Sequence, residues 1–197
     1  METGVLSEIL NNIKQEATEK RDRPYVIAIE GRCAAGKTTL AGQLAEKLGC
    51  SVIHMDHFFL RPEQRTKERM GKPGGNVDYE RFREEVILPL QRGSDFTYRI
   101  FDCHRMDFHG VAEVKQKDFL IVEGAYCCQS EFFPYWDMTV FLDVAKEEQI
   151  RRIQKRNGKE QLQQFIERWI PMEERYFAAF DVKENCEFKL GEREICD

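Results

Sequence analysis

VIAIEGRCAAGKTTLAGQL, residues 26–44, decides the fold. A β-branched apolar run ends at Gly31, crosses a loop of small residues and restarts as a helix near Lys37. Core packing alone does not call for that interruption. Gly31 to Thr38 fits G-x-x-x-x-G-K-[ST] without exception, and it sits between a strand and a helix as phosphate binding requires. In such a loop the backbone N–H groups turn inward around phosphate oxygens, and the following helix directs its positive end at them. The cradle comprises Gly31, Arg32, Cys33, Ala34, Ala35, Gly36, Lys37, Thr38 and Thr39. Lys37 can reach the β- and γ-phosphates, and the Thr38 hydroxyl can ligate Mg2+. The expected cofactors are therefore ATP and Mg2+.

Working outward, the spacing predicts an N-terminal helix over 5–20 and a core strand at 25–30. The P-loop helix should run from Lys37 to Leu48 and stop at Gly49. A second strand, SVIHM (51–55), precedes a polar, basic, Gly/Pro-rich stretch at 61–77 that reads as a mobile loop. A helix over 78–90 with Asp78 as its cap comes next, then a strand pair at 97–102 and 111–115. Core strands at 119–123 and 138–144, helices near 146–156 and 160–178, and a last strand at 188–190 complete the chain. Strands alternating with helices predict an α/β fold, a doubly wound parallel sheet with its ligand crevice at the strand C-termini. The strand pair would form a small hairpin on the substrate side.

The 197 residues suit one domain over 1–197, with an N-terminal helix in 1–22 and a core over 25–180 that includes a lid at about 151–162. A net charge of −5, from 30 Lys plus Arg against 35 Asp plus Glu, offers no basic field for nucleic acid. No apolar run is long enough to cross a bilayer, and the N-terminus lacks the apolar stretch of a signal peptide, so a cytoplasmic protein without a membrane partner is expected. The seven cysteines, Cys196 among them, are odd in number and contain no CxxC pair, which points to reduced thiols. His54 with His57, and Cys103 with His104, lack the second pair that a zinc site would need. No NKxD motif is present to read guanine, and the DxxG match at 107–110 is expected by chance.

Ordered pieces between residues 25 and 180 resemble the uridine kinase and phosphoribulokinase group of small-molecule P-loop kinases. They are GRCAAGKTT, HMDHFF (54–59), NVDYERF (76–82), FDCHR (101–105), IVEGAY (121–126), FLDV (141–144) and IRRIQKR (150–156). The resemblance implies phosphoryl transfer from ATP to a hydroxyl of a small metabolite, with a nucleoside as the first acceptor. A riboside-type vitamin precursor, pantothenate and a sugar phosphate stay open, because Phe101 stands where nucleoside kinases of the group carry Tyr. It also implies Asp56 as catalytic base or metal ligand and Glu123 as a metal ligand. Asp56 follows SVIHM, whose C-terminal end is expected beside the P-loop strand. Asp78, His104 and Arg105 fall on the acceptor side; capping accounts for Asp78 equally well. Arg152 and Arg156 lie four apart on one helix face and can clamp phosphate, whereas at least one of Arg151, Arg152 and Arg156 must belong to a solvated face. The basic run Arg61, Arg65, Lys67 and Arg69 is either a solvated loop or a reader of substrate phosphate. Trp136 and Trp169 read as packing residues. A homo-oligomer is left open. The competing class is a nucleotide-dependent switch ATPase, with no acceptor.

Overall fold

The computed structural model describes residues 4–17 and 22–191; residues 18–20 of the expected first helix, and Cys196, lie outside them. Five parallel strands form the central sheet, in the order β2-β5-β1-β6-β7. They are β1 (Tyr25–Gly31), β2 (Ser51–His54), β5 (Phe119–Glu123), β6 (Met138–Leu142) and β7 (Phe188–Leu190). A separate antiparallel pair, β3 (Phe96–Asp102) and β4 (Asp107–Val114), stands beside it as the expected hairpin.

The strands read as unbroken apolar runs because both faces are buried. Along β1, Ile27 and Ile29 enter one core while Val26 and Ala28 enter the other. The first core is closed by α1 (Gly4–Glu16) and α2 (Lys37–Leu48). Leu6, Ile9, Leu10 and Ile13 supply the apolar stripe of α1, and Leu40, Ala41 and Leu44 that of α2. Each fully buried Ile or Leu contributes about 1.5–3 kcal/mol. The second core takes Phe82, Val86 and Leu90 from a helix over 79–91, α3, which holds a π turn at Arg83–Ile87. Tyr176 and Phe177 of α5 (Ile170–Phe180) complete it.

Two expectations need correction. β2 pairs with β5, not with the P-loop strand β1, because β5 inserts between them. Residues 61–77 are not an irregular loop. A 3-10 turn at Pro62–Gln64 and a short helix at Lys67–Gly71 are held by side chains, chiefly Arg69, which forks onto Glu80 and reaches the Val77 carbonyl. Those bonds supply the backbone partners that composition alone did not reveal.

α4 (Lys146–Gln164) carries the expected lid arginines and is broken at Gly158, which has φ 80° and ψ 172°. A π turn at Phe165–Trp169 links it to α5. No helix among the described residues is long and apolar enough to cross a membrane.

Candidate active site

A cavity of about 1120 Å³ opens at the C-terminal ends of β1, β2 and β5. The P-loop forms one wall, and the turn after β2, the β3–β4 hairpin and α4 form the others.

The P-loop takes its shape from positive φ at Gly31, 137°, and Gly36, 105°, which glycine adopts freely, and at Ala34, 61°, which the loop holds in the left-handed region. Lys37 is nearly buried, and its Nζ donates to the Gly31 and Arg32 carbonyls at 2.7 and 2.9 Å. Those bonds hold the ammonium over the loop. The Thr38 hydroxyl donates to Glu123 Oε1 at 3.2 Å, so the two expected metal ligands do meet. A hydroxyl and a carboxylate are hard oxygen donors, which suits Mg2+. Inward-facing amides ahead of a helix N-terminus suit a triphosphate. Both groups fit the residues present.

His54 Nδ1 lies 2.6 Å from Glu123 Oε1, and this bond raises the His54 pKa. Asp56 sits in the turn after β2 and is exposed to the cavity. The protein crowding it excludes enough water to push its pKa above the ordinary carboxylate range, against the pull of Lys37. Lys37, Glu123 and Arg156 line the same cavity and act on this carboxylate electrostatically. His57 also lines the cavity, with Nδ1 3.1 Å from the Tyr98 hydroxyl, and burial lowers its pKa to about 4. It is a neutral group at physiological pH.

The lid arginines sort themselves. Arg152 lines the cavity, with Nη1 donating to the Ala34 carbonyl at 3.3 Å and Nε to Glu148 at 2.6 Å. Arg156 lines it too, its Nε donating to Asn157. Arg151 is 67% exposed and pairs with Glu148, so it belongs to the solvated face.

Other expected residues stand further off. Arg32 turns its guanidinium out to Asp143 and Glu174. The Asp78 carboxylate is buried outside the cavity wall, accepting from the Arg81 N–H and from Gln64 Nε2. His104 lines the cavity; Arg105 does not, and its side chain is 63% exposed.

Two carboxylates escaped sequence reasoning. Glu173, from α5, is buried at the cavity and accepts the Cys33 N–H at 3.0 Å. Gln149 of α4 grips the same P-loop residue through its carbonyl and thiol. Nothing in a helical surface pattern marks either residue. Glu30, fully buried at the end of β1, accepts N–H bonds from Gly31, Tyr126 and Cys128 and the Tyr176 hydroxyl. Being charged within a strand run was its one signal. Among the described residues, the three-ligand cluster suited to a metal is Glu30 with Cys127 and Cys128. The four donors already on Glu30 account for it as a structural anchor between β1 and the loop after β5.

A family model for the AAA domain matches residues 27–175, well over half the chain. The chain belongs to the AAA-domain family. Within that family its fold is the one shared with small-molecule P-loop kinases. A possible uridine kinase from Bacillus stearothermophilus superposes with a TM-score of 0.69 at 20% identity, covering 94% of this chain and 97% of that one. Phosphoribulokinase from Rhodobacter spheroides gives 0.54 at 12% identity, covering 81% and 66%. A pantothenate kinase of Cutibacterium acnes is 29% identical over 77% of this chain, and the chain spans about half its length, 54%.

Proposed function

We propose that the protein is an ATP-dependent kinase that phosphorylates a hydroxyl of a small metabolite. The observation that carries this reading is the gathering of Lys37, Asp56, Glu123, Arg152 and Arg156 around one cavity. A switch ATPase needs the P-loop and a metal-binding acid, but not a second carboxylate and a pair of arginines beside them.

The transfer is assigned as follows. The acceptor hydroxyl yields its proton to Asp56 Oδ as its oxygen forms the new P–O bond. The bond between the γ-phosphorus and the β–γ bridging oxygen breaks, and the electron pair leaves with ADP. Lys37 faces the charge that grows there, and Arg152 and Arg156 face the equatorial oxygens. Magnesium held by Thr38 and Glu123 would screen the phosphates. The raised pKa of Asp56 suits a base better than an ordinary carboxylate would.

The acceptor is proposed only by class. A nucleoside is the first candidate by resemblance, and the curated relative adds pantothenate. Asp78, assigned by resemblance to an acceptor hydroxyl, already has partners for both oxygens, so it lends no weight to a ribose.

The test is ADP release across nucleosides, pantothenate and sugar phosphates, with ATP binding followed by calorimetry on wild type and Asp56→Asn. One acceptor class should give a rate, and Asp56→Asn should reduce it by about 10²- to 10⁴-fold while ATP still binds. A variant that binds ATP and transfers within about threefold of wild type removes Asp56 as the base. Stable ATP binding with no rate for any acceptor favours the switch.

A further inference from the structure

The basic run at 61–69 is separated by the structure into dissimilar parts. Arg61 pairs with Glu63 at 3.0 Å and leans on Gln64. Arg69 is spent on Glu80 through two bonds of 2.7 Å, and Lys67 is exposed. Arg65 differs. It is half-buried and lines the cavity, and its Nε donates to the Leu60 carbonyl at 2.9 Å. That bond fixes the plane of the guanidinium, and neither terminal nitrogen has a hydrogen-bond partner among the described residues. No carboxylate among the described residues pairs with it.

Asn76, in the same segment, also lines the cavity and is 5% exposed. Its Oδ1 is buried without a hydrogen-bond partner. An unpartnered buried acceptor is costly to a fold and needs a reason. Both groups belong to the acceptor end of the cavity. Lys37, Arg152 and Arg156 serve the P-loop end, whereas Arg65 and Asn76 come from the segment between β2 and α3. Arg65 shares the cavity wall with the candidate base Asp56 and with Cys103 of the β3–β4 hairpin.

We propose that the acceptor is itself an anion: a hydroxylated metabolite whose carboxylate or phosphate is gripped by Arg65. This rests on the kinase reading and narrows its acceptor. A planar fork with two open nitrogens matches either anion bidentately. A neutral acceptor would displace water from the guanidinium and leave it unpaired, which is a strong basis for rejection.

Matched pairs test it: pantothenate against its neutral alcohol panthenol, and ribose 5-phosphate against ribose, each by coupled ADP release. The anion of one pair should exceed its neutral partner in kcat/KM by at least about 10²-fold, and the responding pair tells carboxylate from phosphate. Arg65→Gln should raise the KM for that anion by roughly 10- to 100-fold with little change in kcat, and Arg65→Lys should recover part of the loss. A neutral compound used as well as its anion, or an unchanged KM in Arg65→Gln, overturns the inference and leaves the kinase reading standing. If nothing is phosphorylated, calorimetry of the same four compounds on protein loaded with a non-hydrolysable ATP analogue decides. Heat from an anion that Arg65→Gln abolishes upholds the anion site although the kinase reading has failed. No heat from any of the four overturns both.

Discussion

Replacing Gly31 with alanine tests how tightly the phosphate loop is built into the sheet. A Cβ at residue 31 would sit 2.1 Å from the Leu142 carbonyl oxygen and 2.7 Å from its nitrogen. Leu142 is the register partner of Gly31 across β1 and β6, and its oxygen also accepts the Arg32 N–H at 3.1 Å. Relief therefore requires two core strands to part by more than about an ångström. Overpacking of this kind costs about 1–3 kcal/mol, and a side chain at φ +137° adds about 1–3 kcal/mol of backbone strain. The sum, about 2–6 kcal/mol, is a large part of the ~5–15 kcal/mol that holds a domain folded. For a chain of this length it should lower the melting temperature by roughly 4–24 °C. Gly36→Ala is the control. Its φ of +105° brings the strain, but no atom lies within 4 Å of the added Cβ, so the fall should be about half as large. Thermal melts followed by circular dichroism compare the two directly. If Gly31→Ala melts as high as Gly36→Ala, the close approach of β6 is not what demands glycine here.

Arg156→Ala should lower kcat more than it raises the KM for ATP, while Arg151→Ala changes neither; steady-state kinetics on both variants would expose a wrong assignment if their effects were equal. Glu30 gives a pH dependence. Burial pushes its pKa up to about 7, against 4.5 for an ordinary Glu, so the folded chain keeps a proton that the unfolded chain releases between those values. Its contribution to stability should therefore fall as pH rises from about 4.5 to about 7 and level off above. Urea midpoints at pH 5 and pH 8 should show a steeper decline for wild type than for Glu30→Gln; parallel declines would mean that Glu30 is charged throughout.

The P-loop was legible because its chemistry is local. Gly31 to Thr38 are consecutive, and each strand and helix around them is set by residues within a turn or two. The same holds for Gly49, where the helix is expected to stop and a left-handed φ of 64° is found. Sheet order was not legible, since β5 pairs with strands far from it in the chain, Tyr25 opposite Phe119 and Ser51 opposite Leu120. Of the expected site, Thr38 and Glu123 meet, and Asp56, Arg152 and Arg156 share the cavity. Asp78 is the instructive residue. Its position at a helix start was readable and its bond to the Arg81 N–H agrees, but no sequence pattern announces that Gln64, from a turn fourteen residues earlier, takes the other oxygen. Glu173 was hidden for a like reason: its partner, Cys33, is 140 residues away.

Gln149 and Arg152, the first tied to Cys33 and the second to Ala34, make the opening turns of α4 an extension of the phosphate loop. The break at Gly158 lies beyond them and beyond Arg156. The helix is thus two segments: one tied to the loop and bearing both arginines, the other past the break, where Gln161, with Gln164 and then Phe165, lines the same cavity.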